Sequence, residues 1–270
     1  MEALSLSLGF GCIAGLLSGL FGIGGGVVIV PFLLWLFPRL GFVGQWIMVM
    51  AVATSLATIV ITSLSATLAQ HKRGTLDWGM VARLSPSLIV GSMAGSVIAG
   101  YLPVAWFKLG FAGFLFYIGG DLLVSRAVES GSGPSQRMHP LLAGTAGLGI
   151  GAFSSILGIG GGTLSMPFLI KQHFPIRSAV AISSACAFPI ALAGTLTQAA
   201  LGWSIADLPP GSLGFVYLPA FGCIALTGVL FAPLGVHLAH HWPVSRLKTL
   251  LGLALMVIAI RIVWQLLPAL

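Results

Sequence analysis

The chain has 270 residues, of which 57% are hydrophobic and only 6% charged, with a formal net charge of +7. A soluble domain carries about a quarter charged residues, so this chain has too few to cover a water-facing surface and must present its surface to lipid. The 12 basic residues are scattered and form no patch or stripe, which excludes nucleic acid as a partner and leaves the lipid bilayer.

Charge-free runs of 36, 31, 24 and 29 residues occupy 3–38, 40–70, 84–107 and 178–206. Each exceeds the ~20 apolar residues that cross a bilayer as a helix. A β-barrel would alternate polar and apolar residues instead. The expected fold is therefore all-α, a polytopic integral membrane protein. Tryptophan prefers the headgroup level, and the seven tryptophans help to set the boundaries. In chain order the membrane segments are 3–37, 44–70, 78–101 and 104–125, then 140–170, 178–203, 212–237 and 246–267. The start of the chain lacks a basic n-region and a small-residue cleavage site, and so reads as a membrane segment. Cys12, Cys186 and Cys223 stand singly inside apolar runs and behave as small hydrophobes. Between the two sets lies a stretch rich in Gly, Ser and Pro (SGSGPSQR). The expected organisation is a first transmembrane repeat at 1–128, a linker at 129–139 and a second repeat at 140–270.

The two halves are related. Residues 15–33 (GLLSGLFGIGGGVVIVPFL) and 151–169 (GAFSSILGIGGGTLSMPFL) share ten identities in 19 positions without a gap. Chance supplies roughly one, so the pattern marks a duplication. A weaker echo pairs AVATS at 51–55 with AVAIS at 179–183, and TLAQ ending at Gln70 with TLTQ ending at Gln198.

Segment 3–37 is too long for one ordinary span, since 35 residues of helix reach about 52 Å. The glycine cluster at 22–26 breaks it, and Pro31 resists a continuous helix. If the broken segment returns to its starting side, each half crosses an odd number of times and the halves are inverted. That arrangement puts nine basic residues on one side and only Arg39, Lys108 and Arg261 on the other, where a parallel arrangement gives six and six. Positive residues favour the cytoplasm, so the inverted arrangement is preferred, with both termini outside and the linker inside. About eight to ten membrane segments are expected.

Inverted repeats with interrupted helices are a recurring design of secondary transporters. A glycine run exposes backbone N–H groups, and the helix that follows points its positive dipole end into the break. Gly22, Gly24, Gly25 and Gly26, facing Gly158, Gly160, Gly161 and Gly162, suit a small anion. Ser18 and Ser154 lie one turn upstream of the breaks. Thr54, Ser55, Ser183 and Ser184 on the following helices are further candidates for substrate contact. Glycines also permit plain close packing of membrane helices, and hydroxyls also satisfy their own helix backbone. Gln70 and Gln198 stand at helix ends and read as solvated caps.

The two glycine motifs resemble the duplicated signature of the TauE/SafE family of sulfite and organosulfonate exporters, also called toluene-sulfonate uptake permeases. The resemblance covers both halves. It implies a plasma-membrane carrier of small sulfur-containing anions such as sulfite or sulfoacetate. Ser155 stands where the first copy has Gly19, and Leu157 where it has Phe21, so the half-sites need not contribute equally.

Proton coupling normally needs a titratable group within the membrane. Asp121 and Arg83 lie near the interface, and no carboxylate falls at the middle of a run, so efflux driven by membrane potential is expected. His237, His240 and His241 share a helical face without an acid or cysteine nearby and read as interfacial residues, so no metal or cofactor is expected. A serine hydrolase would need GxSxG and a histidine at depth, so an enzyme is not expected. An uptake permease or an anion channel remains an alternative, and homo-oligomerisation stays open.

Overall fold

The structure, a computed structural model, describes residues 2–21, 25–42, 46–124, 139–241 and 244–266. Within these the chain forms α1 (Glu2–Phe21), α2 (Gly26–Arg39), α3 (Ile47–His71), α4 (Trp78–Tyr101), α5 (Val104–Val124), α6 (Pro140–Leu157), α7 (Gly162–Lys171) and α8 (Ile176–Gly202). A two-stranded hairpin follows, β1 (Ser212–Leu213) with β2 (Val216–Tyr217), and then α9 (Leu218–His241) and α10 (Val244–Leu266). The fold is all-α and membrane-spanning in character. Most of the linker lies outside the described residues, as do Gly22 and Gly24 of the first motif.

The two segments too long for one span are each cut in two. Gly25 and Gly161 are the left-handed N-caps of α2 and α7, with φ of 76° and 75°, and Gly158 and Gly160 are left-handed as well. An L side chain rarely adopts this conformation, so glycine is what allows the chain to turn there. Pro31 does not interrupt its helix. It lies inside α2, as Pro167 lies inside α7, and costs one backbone hydrogen bond in a helix covered by protein. With 14 and 10 residues, α2 and α7 reach about 21 and 15 Å, short of the ~30 Å hydrocarbon layer. The first pair doubles back. A Cβ on Gly25 would stand 2.7 Å from the Ala14 carbonyl oxygen, and Phe32 stacks on Phe10 with centroids 3.9 Å apart, so α2 runs back along α1.

Among the described residues, four helices are long and apolar enough to cross alone: α3, α4, α8 and Leu218–Leu238 of α9. Over their most apolar windows α3 and α8 are 78% and 72% buried, against 39% for α4 and 33% for α9. The first two therefore form the centre, and the others turn Val90, Met93, Leu226 and Leu230 outward.

Contacts come in matched pairs. Helix α1 packs on α9 and α6 on α4, while α3 packs on α8 and α5 on α10. Small residues let these backbones meet. A Cβ on Gly235 would strike the Leu16 carbonyl, and one on Gly95 would strike the carbonyl of Ala152, which aligns with Leu16 in the repeat. Likewise Gly15 abuts the Gly228 carbonyl and its counterpart Gly151 abuts that of Leu88. These contacts run in step along α1 and α9 and along α4 and α6, so the members of each pair are parallel. Gly119 meets Gly252 and Met256 while Gly252 meets Leu123, so α5 and α10 are antiparallel.

The segment expected at 212–237 begins as a hairpin and becomes helical only at Leu218. Gly211 and Gly214 are left-handed and end helical continuity there. The hairpin is anchored by the Tyr217 N–H donating to the Thr54 hydroxyl at 3.0 Å and by the Tyr217 ring meeting Phe37 and Phe42 edge-on.

Gly95→Leu and Gly235→Leu should each destabilise the protein by about 1–3 kcal/mol through overpacking. Gly113→Leu and Gly222→Leu, whose Cβ positions are open, should leave thermal unfolding in detergent, followed by tryptophan fluorescence, nearly unchanged.

Candidate functional site

The two glycine breaks touch. A Cβ on Gly26 would collide with the Gly158 carbonyl oxygen and stand 2.8 Å from the Ile159 Cα. Ile59 of α3 sits between the breaks, against Gly26 on one side and Gly160 on the other. Residues 158–163 are all buried. Neither Gly25 nor Gly161 supplies a side-chain cap, so the first N–H groups of α2 and α7 have no side-chain acceptor at the cap. Two positive helix ends are thus buried near one another inside an apolar chain.

Helix α3 ties down the second break. Ser55 donates to the Gly158 carbonyl at 2.8 Å, and the Val52 backbone lies against Gly158. Around this break three hydroxyls are buried and make no hydrogen bond: Ser154, Thr163 and Ser165. The Ser154 oxygen is 3.4 Å from where a Cβ on Gly161 would stand. A buried hydroxyl without a partner carries a desolvation cost, so three around one break mark a place where a polar guest would be favoured.

A family model described as "Sulfite exporter TauE/SafE" matches residues 7–262. The chain belongs to this family. A "Probable membrane transporter protein" of Haemophilus influenzae is 34% identical over 255 residues, covering 94% of this chain and 96% of that one. Another so named, from Methanocaldococcus jannaschii, is 26% identical and covers 83% and 79%. A third, from Bacillus subtilis, is 29% identical and covers 70% and 75%. The protein is a membrane transporter, and its relatives carry transporter names, not enzyme names.

In this TauE/SafE transporter the expected site residues separate into groups. Gly25, Gly26, Gly158, Gly160, Gly161 and Gly162 form the described parts of the breaks, with Ser55 and Ser154 beside them. Ser18 is buried on α1. Thr54 instead accepts from Tyr217 and secures the hairpin. Ser183 and Ser184 both donate to the Val180 carbonyl of their own helix, at 3.0 and 2.9 Å. Thr163 and Ser165 are additions. Their signal in the sequence is a change of polarity within the repeat, because the aligned first-half residues are Val27 and Ile29.

Gln70 and Gln198 are not solvated caps, since both are buried. Gln198 donates to the Ser96 carbonyl at 3.0 Å, and the Gln70 Oε1 accepts from Thr75 at 3.1 Å. Nearby, Ser92 gives its one hydroxyl proton to the Ile190 carbonyl and so accepts from Ser155. The matching first-half contact is Gly19 against Ala232. Of the expected histidine trio, His237 accepts from the Arg73 guanidinium at 3.2 Å, and the side chains of His240 and His241 lie outside the described residues.

Ser55→Ala leaves the Gly158 carbonyl without this donor and should cost about 1–3 kcal/mol. Ser183→Ala removes only a bond to its own helix and should cost clearly less in the same thermal-unfolding measurement.

Proposed function

We propose that this transporter exports small sulfur-containing anions, such as sulfite or organosulfonates, by alternating access of two inverted halves around the paired glycine breaks. The observation that carries this reading is the meeting of two buried, uncapped helix N-termini with three unpartnered hydroxyls. An anion needs donors, and this arrangement offers only donors from backbone and hydroxyl, with no cation to trap it. Substrate contacts come from Gly25 and Gly26 on one side and from Ser154, Gly160, Gly161, Gly162, Thr163 and Ser165 on the other. Ser18 and Ser55 flank the site, and Gly22 and Gly24 belong to it by the repeat. Ile59 fills the space between the breaks, so an anion enters when α3 shifts relative to α2 and α7.

The inverted arrangement is supported by packing direction. The fifth helix of each half, α5 and α10, lie antiparallel in contact. With α2 doubling back on α1, each half crosses an odd number of times. The distribution of basic residues supports an orientation with both termini outside the plasma membrane and the 129–139 linker in the cytoplasm. An inside-negative potential drives an anion outward by about 2.3 kcal/mol per charge per 100 mV, so efflux needs no coupled cation.

Two measurements test this. In a thermal-shift screen against sulfite, sulfate, thiosulfate, sulfoacetate and taurine, sulfite or a sulfonate should raise the unfolding temperature. The near-isosteric variant Ser154→Ala/Thr163→Val/Ser165→Ala should weaken that binding about tenfold or more, and unchanged binding would remove these hydroxyls from the site. In proteoliposomes, efflux should persist when the pH gradient is collapsed at fixed potential. Loss of transport under that condition would replace electrical drive by proton coupling.

A further inference from the structure

A second feature of interest is a cavity beside α2 whose lining carries cations. About 510 Å³ in volume, it runs along the outer face of α2, from Val28 past Pro31 and Trp35 to Pro38, and is closed by the start of α3, the start of α5 and the end of α10. Its lining is apolar except for two cations, Lys108 of α5 and Arg261 of α10. Among the described residues, no carboxylate lines it. A third cation is close: the Arg39 guanidinium stacks 3.6 Å from the centroid of Trp35, itself part of the wall. This is unlike the cavity on the α4–α8 surface, about 720 Å³ in volume, whose lining among the described residues carries no charge.

Lys108 and Arg261 are brought together by the antiparallel packing of α5 on α10, since they lie near opposite ends of those two helices. The repeat makes the pairing distinctive. Aligning α5 with α10 matches Lys108 with Lys248, but Arg261 with Asp121. The position that is acidic in one half is basic in the other, so the two cations are not imposed by the duplicated packing. Lysine and arginine side chains that line one cavity give it a positive field, which favours an anion as occupant. Trp106 and Trp264, both largely exposed, stand on the same ends of α5 and α10 and place the cations at headgroup level.

We propose that this cavity binds an anionic amphiphile, with a phosphate or sulfonate head between Lys108 and Arg261 and an alkyl body along α2. Lysine and arginine suit either oxyanion, and the apolar wall accepts a chain that a bare inorganic anion lacks. The occupant is an anionic phospholipid or a free alkyl sulfonate, because both carry this chemistry. Since the cavity flanks α2, occupancy bears on the helix whose N-terminus forms the first glycine break.

The test uses the full chain in nanodiscs of zwitterionic lipid, titrated by calorimetry with octanesulfonate and with neutral octanol. Octanesulfonate should bind the wild type at least tenfold more tightly than Lys108→Gln/Arg261→Gln, while octanol should not distinguish them. Equal octanesulfonate affinity in both proteins overturns the site, and so does a wild-type preference for octanol. Repeating the titration with phosphatidylglycerol in the disc identifies the source. Competition shows that the lipid fills the cavity, and unchanged affinity shows a site for the free amphiphile. The double variant should retain the sulfite-induced thermal shift, and Ser154→Ala/Thr163→Val/Ser165→Ala should retain octanesulfonate binding. Failure of this site and failure of the transport site are therefore read separately.

Discussion

A helix that stops inside hydrocarbon leaves backbone groups with no water to meet, at several kcal/mol for each group left bare. Two helices stop inside this protein, and the rest of the fold is arranged around covering their ends. Left-handed glycines let the chain turn at each break, and the absence of side chains at Gly26 and Gly158 lets the two breaks approach to backbone contact. Helix α3 lies across the junction, with Ile59 between the breaks and Ser55 bonded to the Gly158 carbonyl. That duty accounts for the deep burial of α3 and α8 in a molecule with so little polar surface. The outer helices then need only pack closely on this centre and face lipid, which they do through small residues inward and Leu, Val and Met outward.

The two related glycine motifs have similar turns but different chemistry around them. At the second break Ser55 caps a carbonyl, whereas Ser183, its partner in the repeat, bonds within its own helix. Thr163 and Ser165 replace Val27 and Ile29, and a hydrogen-bonded Ser92–Ser155 pair replaces the contact of Gly19 with Ala232. The second half thus carries most of the side-chain polarity near the breaks. Under the proposed function, an asymmetric substrate would turn its charged oxygens toward α7 and its apolar part toward α2. The outer cavity likewise combines an apolar wall with Lys108 and Arg261.

Much of this organisation was legible before any packing was known. The duplicated GxGGG motif, the excess length of 3–37 and 140–170 and the scarcity of charge predicted an all-α polytopic protein, the location of the breaks and the kind of protein. Two misreadings have clear physical causes. Pro31 looked like a breaker, but one missing N–H is tolerated within a packed helix while left-handed glycines end one. Gln70 and Gln198 looked solvated because they fall at segment ends, yet the loop after α3 supplies Thr75 to Gln70 and α4 supplies the Ser96 carbonyl to Gln198.

Periodicity, apolar run length and glycine position act along the chain, within the reach of a turn or a span, and for that reason the sequence by itself determined the helices, their interruption and the membrane setting. Which hydroxyls remain without partners depends on acceptors contributed by other helices, often a hundred residues away. Ser55 and Ser183 share one sequence context and differ in what packs against them, and Lys108 and Arg261 line one cavity because α5 lies antiparallel to α10. Those choices were made by tertiary structure, because a hydrogen bond or a charge cluster is set by distances in space that local sequence does not encode.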